Sequence, residues 1–240
     1  MIVSELFYTL QGEGTFIGRP SVFIRTSTCN LRCHFCDTPY TSWWNEGKKR
    51  SVEKIVNKVM DSWPNCQHIV ISGGEPMLQK DLPDLVDHLR ALGRIITIET
   101  NGTIFRDDVI PHLFSVSPKT TNSLPNGDEI PHGSPEGTDP VEARKIHLEN
   151  NTYDQIPNFI KCGIDYQIKM VIKGREDLSE IKKFVELYGV PSERVFLMPE
   201  GVTREVQRTR SIEVAEICKE EGYTLCPRLQ IELWGTMRGV

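Results

Sequence analysis

The sequence predicts an α/β fold in which a parallel sheet forms a partial (β/α)6 barrel, modified and reduced, with a long loop inserted. Two observations predict it. Segments of strand character alternate with amphipathic helical segments along the chain, and parallel strands need such helical crossovers. About six strand–helix units can be counted, which is too few for a closed barrel of eight. Because 240 residues can bury one full core, we expect a single domain over residues 1–240.

The first strand–helix units lie in the first half of the chain. Ser51 is a typical helix N-cap, and apolar residues at helical spacing follow it as far as Trp63. A second amphipathic segment over 82–92 ends at Gly93, a residue type common just after a helix. Runs of apolar and β-branched residues predict three strands, over 68–72, 95–100 and 114–117.

The second half of the chain begins with a loop. From about 120 to 140 the residues are mainly Pro, Gly, Asn, Ser and Asp, which indicates a long loop or insertion. This loop could act as a lid or as a surface for a partner, or it could be a tolerated insertion without a role. The alternation then resumes. It predicts strands over 167–172, 195–197, 223–226 and 229–233, and helices over 178–188 and 204–221.

Polar and glycine-rich segments follow four of the predicted strands. They are residues 72–75, 99–102, 117–119 and 198–201. In open parallel sheets and in barrels, ligands bind at the carboxyl ends of the strands. We therefore expect these segments to converge on one rim and to form the functional site there.

Three cysteines, Cys29, Cys33 and Cys36, form a C-x3-C-x2-C motif. Their thiolates can hold three irons of a [4Fe–4S] cluster and leave the fourth iron open to a small molecule, whereas electron-carrier clusters usually have four cysteine ligands. A zinc site completed by His34 is an alternative, although His34 lies between two of the cysteines and would reach the same metal with difficulty. Three unrelated buried thiols are the remaining alternative.

Composition restricts the class of protein. A net charge of -5 and a sequence pI of about 5.7 argue against direct contact with nucleic acid. The chain does not open on a basic segment followed by an apolar one, and no apolar run approaches the roughly 20 residues of a membrane-spanning helix. We expect a cytoplasmic protein without membrane contact, whose other cysteines are free thiols: Cys66, Cys162, Cys218 and Cys226.

The cysteine motif, followed by Gly73-Gly74-Glu75-Pro76, resembles the radical S-adenosylmethionine (SAM) superfamily. A glycine pair lets the backbone approach a ligand without an intervening Cβ, and Glu75 offers an acceptor to the ammonium group of SAM. The resemblance implies that SAM chelates the open iron and that the reduced cluster cleaves it to a 5′-deoxyadenosyl radical. It also implies an electron donor such as flavodoxin or ferredoxin.

Further segments are similar to those of 7-carboxy-7-deazaguanine synthases. They are residues 9–14, 22–25, 36–38, 72–76, 99–103, 117–119 and 233–240. The resemblance implies a lyase of 7-deazapurine (queuosine-type) biosynthesis that converts 6-carboxy-5,6,7,8-tetrahydropterin to 7-carboxy-7-deazaguanine with release of ammonia. The radical would remove hydrogen from the substrate carbon that bears the carboxylate. The resemblance further implies a bound Mg²⁺ ion and a homodimer.

The resemblance also implies the site residues, with no side chain assigned as a catalytic residue because the cofactor carries the radical. The substrate contacts are Leu10, Gln11, Gly12, Glu13, Arg25, Ser72 and Val240. The SAM contacts are Phe35, Cys36, Asp37, Gly74, Glu75, Ser117, Pro118 and Lys119, with Glu99 and residues 198–201 as further candidates. Thr38 is the Mg²⁺ ligand, which suits an ion that keeps several waters and takes few protein ligands.

Alternatives stay open for two of these residues. Arg25 is assigned to the substrate carboxylate because a guanidinium fork binds a carboxylate bidentately, and a surface ion pair at the end of a strand is its alternative. For Thr38 the alternative is a hydrogen bond from its hydroxyl to the loop backbone.

Two features depart from the family pattern. Gln230 stands where several members have a histidine, and an amide cannot carry a proton at neutral pH as imidazole can. The segment over 120–140 is also longer than the compact pattern. Two other functions therefore remain as alternatives: another small radical SAM enzyme, such as an activase that installs a glycyl radical on a protein, and a non-catalytic metal-binding module.

Overall fold

Nine strands form one sheet in this computed structural model, which describes residues 1–126, 130–131 and 133–240. They are β1 (Ile2–Leu10), β2 (Pro20–Thr26), β3 (Lys48–Lys49), β4 (His68–Gly73), β5 (Ile95–Thr100), β6 (Leu113–Val116), β7 (Asp165–Ile172), β8 (Val195–Pro199) and β9 (Thr224–Leu225). Their order across the sheet is β3-β1-β2-β4-β5-β6-β7-β8-β9. β1 runs antiparallel to β2 and β3, and the pairs from β2 to β9 are parallel. The predicted α/β fold with a parallel sheet is confirmed, and β2 with β4–β8 supplies the strands of the partial barrel.

Seven α-helices connect or flank these strands in the described residues. They are α1 (Val52–Ser62), α2 (Leu82–Ala91), α3 (Pro140–Asn150), α4 (Ile156–Lys161), α5 (Leu178–Tyr188), α6 (Arg204–Glu221) and α7 (Leu229–Trp234). As predicted, Ser51 caps α1, because its hydroxyl accepts a hydrogen bond from the backbone nitrogen of Lys54 at 3.3 Å. None of the helices in the described part of the chain combines the length and the apolarity that a bilayer crossing requires.

One predicted strand is wrong. Residues 229–233 lie in helix α7. Leu229, Ile231 and Leu233 alternate with polar residues, which is strand spacing over a run too short to distinguish the two structures. Ile231 is buried and Leu233 is exposed, so the segment rests on the protein through one apolar residue and needs no apolar face.

Helix α3 follows directly on the loop-rich segment, and the sequence pattern does not predict it. Ala143 and His147 are its buried residues, whereas Val141 and Leu148 are exposed. A helix without an apolar stripe shows no helical period in its sequence. Of the predicted insertion over 120–140, residues 127–129 and 132 lie outside the described residues, and Thr121–Ser123 form a 3₁₀ turn.

The core lies on the central strands of the sheet. Ile69, Val70 and Ile71 of β4 are fully buried in succession, as expected for a parallel strand that is covered on both faces. Leu85 and Leu89 of α2 belong to the same apolar cluster. Close packing of this kind fixes where each strand ends, and so it positions the polar segments that follow the strands.

Candidate active site

A cavity of about 320 Å³ lies at the carboxyl ends of the parallel strands. All four rim segments contribute to its wall, through residues such as Ser72, Glu99, Ser117 and Met198. The three motif cysteines also line it. Its volume falls within the range of ordinary ligand sites, so we take this cavity as the candidate active site.

Most of the predicted site residues line this cavity. They are Leu10, Gln11, Gly12, Glu13, Arg25, Ser72 and Val240 of the substrate set, Phe35, Cys36, Asp37, Gly74, Ser117 and Lys119 of the SAM set, and Thr38. Glu99 lines it as well, whereas Met198 is the one residue of 198–201 that does so. Glu75 and Pro118 do not line the cavity.

Glu75 lies behind the cavity wall and is fully buried. Its carboxylate accepts hydrogen bonds from the backbone nitrogens of Met77 at 3.0 Å and Asn101 at 2.7 Å, and from the Thr100 hydroxyl at 2.9 Å. Burial raises the pKa of Glu75 to about 7, although these bonds favour the carboxylate. Glu75 therefore joins the segment after β4 to the end of β5, and its contact with the SAM ammonium group stays a prediction.

The glycine pair after β4 is required by contacts within the protein. A Cβ on Gly74 would lie 2.7 Å from the Thr41 carbonyl oxygen and would overlap the carbonyl group of Thr28. Gly73 has a φ of +128°, and a Cβ there would overlap the backbone of Thr26. The pair therefore lets the end of β4 lie directly against the segment that leads into the cysteine motif.

The three motif cysteines fit a [4Fe–4S] cluster. Cys29, Cys33 and Cys36 are free thiols on the wall of one cavity. Burial raises the pKa of Cys29 to about 12 and also raises the pKa of Cys33 and of Cys36, while the Lys119 ammonium opposes the rise at Cys33. Cysteine binds metal as the thiolate. Buried thiols of this kind need the positive charge of bound iron in order to ionise, so the donor set suits the cluster.

Three thiols on the wall of one cavity are compatible with a multi-iron group. No three His, Cys, Asp or Glu side chains of the described residues surround a single ion position, and a cubane does not require it, because each thiolate binds a different iron. His34, the fourth ligand of the alternative zinc site, places Nε2 2.7 Å from the Asn122 carbonyl oxygen.

A group of charged side chains lines another part of the cavity wall. Lys169 of β7 places Nζ 2.6 Å from a Glu13 carboxylate oxygen and 2.5 Å from a Glu99 carboxylate oxygen. The Gln230 amide donates a hydrogen bond to Glu13 at 2.8 Å, and the Gln11 amide donates one to Glu99 at 3.1 Å. One ammonium group thus lies between two carboxylates, one from the loop after β1 and one from β5.

Charge pairing keeps Glu13 and Lys169 ionised. Burial opposes ionisation of Glu13, but Lys169 and Arg228 lower its pKa to about 2. Burial likewise disfavours the Lys169 ammonium, but Glu13 and Glu99 raise the pKa of Lys169 above its ordinary value. The Lys169 cation and the Glu13 carboxylate therefore persist at neutral pH.

Sequence reasoning missed Lys169 and Arg228. A signal for Lys169 exists, since it stands inside the predicted strand 167–172 among apolar residues. A lysine that is 4% exposed is rarely found without a partner. Arg228 lies in the irregular segment before α7, where no pattern distinguishes it from a surface arginine.

The structure shows which contacts Arg25 and Thr38 make, and these can be compared with the alternative roles considered for each: a surface ion pair and a hydrogen bond to the loop backbone. Arg25 Nε lies 2.8 Å from Glu5 Oε2, so the ion pair exists, but Arg25 also lines the cavity. The Thr38 hydroxyl lies 3.9 Å from Cys36 Sγ. Within the described residues it makes no hydrogen bond to the loop backbone, whereas the Thr38 carbonyl accepts one from the Thr41 hydroxyl at 2.9 Å.

Comparison with known proteins assigns the chain to a family. The radical SAM superfamily profile matches residues 23–188. A 7-carboxy-7-deazaguanine synthase of Halobacterium salinarum is 42% identical over 97% of this chain and 90% of its own length, and one of Rhodopirellula baltica is 37% identical over 100% and 88%. The crystal structure of QueE from Escherichia coli matches with a TM-score of 0.58 and 22% identity, covering 94% of this chain and 92% of that one, and supports the fold. The chain belongs to the 7-carboxy-7-deazaguanine synthase family of the radical SAM superfamily.

Proposed function

We propose that this chain converts 6-carboxy-5,6,7,8-tetrahydropterin to 7-carboxy-7-deazaguanine with release of ammonia. The observation that carries the proposal is one cavity lined both by the three motif cysteines and by the ion-paired side chains of Lys169, Glu13 and Glu99. The first set serves the cofactor, and the second suits a flat substrate with polar edges. The names of the relatives, 7-carboxy-7-deazaguanine synthase, support this choice of reaction.

As a radical SAM protein, the chain uses a [4Fe–4S] cluster and SAM. Cys29, Cys33 and Cys36 would hold three irons. When bound, the reduced cluster and SAM together supply a carbon-centred radical that removes hydrogen from a substrate carbon. Phe35 packs against Val171 and Met198 on the cavity wall, which offers an apolar surface to SAM.

The Glu13 carboxylate is suited to the edge of a pterin ring. This edge carries an amino group and a ring N–H, which are donors, beside a carbonyl acceptor. Because the pKa of Glu13 is lowered to about 2, its carboxylate accepts hydrogen bonds at any physiological pH. The backbone of Leu10, Gln11 and Gly12 borders the same part of the cavity, and it offers both donors and acceptors.

Arg25 and Thr38 are suited to the substrate carboxylate. Arg25 would bind it through the guanidinium fork. Thr38 would hold Mg²⁺, with substrate oxygens and waters as the other ligands, since its hydroxyl oxygen has no backbone partner within the described residues. The ion would orient the substrate and offset its negative charge.

Several further properties belong to the proposal. Residues 1–240 act as one radical SAM domain, since one sheet extends from β3 near the start to β9 near the end. The seven cysteines are free thiols, which suits a reducing compartment such as the cytoplasm. We further propose a homodimer and an electron donor such as flavodoxin or ferredoxin. The product would enter queuosine-type 7-deazapurine biosynthesis.

Anaerobic reconstitution with iron and sulfide, followed by incubation of the reduced protein with SAM and 6-carboxy-5,6,7,8-tetrahydropterin, tests the function. We expect the deazaguanine acid by mass spectrometry, together with ammonia. The Cys33→Ala variant should lose cluster absorbance and SAM cleavage. A colourless protein that holds only zinc would contradict the cofactor, and a protein that cleaves SAM but leaves the pterin unchanged would contradict the substrate.

A further inference from the structure

The Glu5 carboxylate contacts side chains from three separate segments of the active site. Its Oε2 atom lies 2.8 Å from Arg25 Nε, directly across the β1–β2 pair, and accepts a hydrogen bond from the Tyr40 hydroxyl at 2.7 Å. Its Oε1 atom lies 3.3 Å from Arg238 Nε. Arg25, Tyr40 and Arg238 line the cavity, whereas Glu5 does not. Glu5 therefore acts on the cavity wall through its partners.

Arg25 contacts Phe7 and Glu5, and its two terminal nitrogens remain available as hydrogen-bond donors. Its guanidinium carbon lies 5.3 Å from the centroid of the Phe7 ring, a residue on the same face of β1 as Glu5. The contact of Nε with Glu5 lacks hydrogen-bond geometry and is an ion pair. Within the described residues neither terminal nitrogen of Arg25 has a protein acceptor, so both are available to a ligand carboxylate.

The charges around Glu5 favour an anionic ligand group. Two guanidinium groups, those of Arg25 and Arg238, flank the single Glu5 carboxylate. Glu46 lies 3.2 Å from Arg238, and the two side chains are 47% and 48% exposed, so solvent weakens the fields of both. The charged donors at this part of the cavity wall are then mainly the terminal nitrogens of Arg25, which a substrate carboxylate can bind.

We propose that Glu5 is a positioning residue: it holds Arg25 so that the two terminal nitrogens meet the substrate carboxylate, and it thereby makes the enzyme select a 6-carboxylated pterin over an unsubstituted one. The inference rests on the proposed function, because it takes that carboxylate as the ligand of Arg25. A guanidinium already held in its binding orientation loses less freedom when the ligand arrives. The Tyr40 hydroxyl donates a hydrogen bond to the same Glu5 oxygen that contacts Arg25. Because Tyr40 lies two residues after Thr38, Glu5 also fixes the position of Arg25 relative to the segment that follows the cysteines.

Equilibrium binding to the reconstituted, SAM-loaded and unreduced protein tests this role. The two ligands are 6-carboxy-5,6,7,8-tetrahydropterin and the tetrahydropterin without a substituent at C6, and the measured quantity is the ratio of their Kd values. Glu5→Gln keeps the side-chain size and an acceptor for Tyr40 but removes the charge that holds Arg25. We expect the preference for the carboxylated ligand to fall about tenfold, the effect of one charge-assisted contact, with the unsubstituted ligand unaffected.

Two further variants complete the experiment. Glu46→Gln removes the other carboxylate beside Arg238 and should leave the preference unchanged. Tyr40→Phe removes the hydroxyl that shares the Glu5 oxygen, and we expect a fall of about threefold, because one hydrogen bond to Glu5 is lost and the contact of Glu5 with Arg25 remains. Tyr40→Phe provides the test if Glu5→Gln does not fold.

Each other outcome has a distinct meaning. An equal loss of affinity for both ligands would show that Glu5 supports the fold only, and would overturn the proposal. A stronger preference in Glu5→Gln would show that Glu5 acts by repelling the substrate carboxylate, and would overturn it as well. A wild-type protein that binds both ligands equally would contradict the proposed substrate and, with it, this role of Glu5.

Discussion

His147 Nδ1 in α3 accepts a hydrogen bond from the backbone nitrogen of Arg32 at 3.3 Å. Arg32 directly precedes Cys33, so this bond joins the helix after the insertion to the cysteine motif. His147 Nε2 lies 3.1 Å from the Ser123 hydroxyl, and the Ser123 carbonyl accepts a hydrogen bond from the backbone nitrogen of His34 at 3.1 Å. The residues on both sides of Cys33 are thus held by segments that follow the sheet strand β6.

Replacing His147 should weaken cluster retention. In His147→Ala the partly buried backbone N–H of Arg32 loses its acceptor, which costs about 1 kcal/mol, roughly a factor of five. We expect reconstituted His147→Ala to lose cluster absorbance in air about fivefold faster than wild type, measured together with iron per chain. His88, which is exposed on α2, provides the control His88→Ala. Equal decay rates in all three proteins would contradict this bracing role.

Acid should destabilise the fold through two buried histidines. Burial lowers the pKa of His68 and of His147 to about 4, from an ordinary value of 6.5. Between these values the unfolded chain binds protons that the folded chain does not, so the free energy of unfolding falls as pH drops from about 6.5 to about 4. Urea unfolding at pH 7.5 and pH 5.0 measures the change, which we expect to be on the order of 2 kcal/mol for each histidine and about 4 kcal/mol in total.

The variant His68→Gln should show a smaller loss over the same pH interval, since its side chain does not titrate. His68 bridges neighbouring strands through Ser21 at 2.7 Å and Thr97 at 2.9 Å, and a glutamine can replace these bonds in part. His88→Gln, at an exposed position, should keep the wild-type pH dependence. If His68→Gln also keeps it, His68 does not cause the acid sensitivity.

Lys169→Met should damage both stability and substrate binding. It leaves the carboxylates of Glu13 and Glu99 without their shared cation, and breaking a buried ion pair from one side costs about 3 kcal/mol. We expect the free energy of unfolding to fall by about that amount and the substrate KM to rise about tenfold. The loss of the cation should also raise the pKa of Glu13 from about 2. Lys169→Arg keeps the charge and should retain most of the stability; a Lys169→Met protein as stable as wild type would refute this assignment.

Gly74→Ala should destabilise the protein, whereas Gly174→Ala should not. At Gly74 the new methyl group would press on the carbonyl groups of Thr28 and Thr41, which are backbone and cannot move aside. At Gly174 it would meet the Glu176 carboxylate at 2.6 Å, the end of a flexible side chain. We expect Gly74→Ala to lower the free energy of unfolding by about 2 kcal/mol or more and Gly174→Ala to change it by roughly 0.5 kcal/mol. Equal effects in denaturant unfolding would disprove the steric explanation.

Thr38→Ala should reduce the dependence of turnover on Mg²⁺ while cluster absorbance stays at the wild-type level. The hydroxyl is the group proposed to hold the ion, and it does not support the loop backbone within the described residues. Thr38→Ser keeps a hydroxyl and should respond to Mg²⁺ nearly as wild type does. A titration of activity against Mg²⁺ compares the three proteins. Identical curves for Thr38→Ala and wild type would exclude Thr38 as a ligand.

The parts of the site that sequence predicts well are local ones. The cysteine spacing places three thiols in one short segment, and Gly73 with Gly74 ends a strand, so neighbours in the chain are also neighbours in space. The chemistry of such motifs depends on residues that are close in sequence. For the same reason the rim segments after β4, β5 and β6 are predictable once the sheet is known to be parallel.

The parts that sequence does not predict depend on contacts between distant segments. Lys169 and Glu13 are separated by 156 positions, and nothing near either residue identifies the other. Glu75 shows a different limit: the motif places a carboxylate at the strand end, but only the fold shows that this carboxylate accepts a hydrogen bond from the backbone nitrogen of Asn101. Helix α7 shows a third limit, since alternation over five residues suits either secondary structure.

Because β1 and β2 form an antiparallel hairpin at one side of the parallel strands, the residues proposed for substrate binding and those proposed for SAM binding lie in different segments of the chain. Leu10 to Glu13 and Arg25, which we propose bind the substrate, belong to this hairpin, whereas Gly74, Ser117 and Lys119, which we propose bind SAM, follow the inner parallel strands. With these roles, changes in the hairpin would alter substrate recognition and leave the residues that serve SAM unchanged. The parallel part of the sheet would then be the constant part of the site, and the β1–β2 hairpin at the edge of the sheet its variable part.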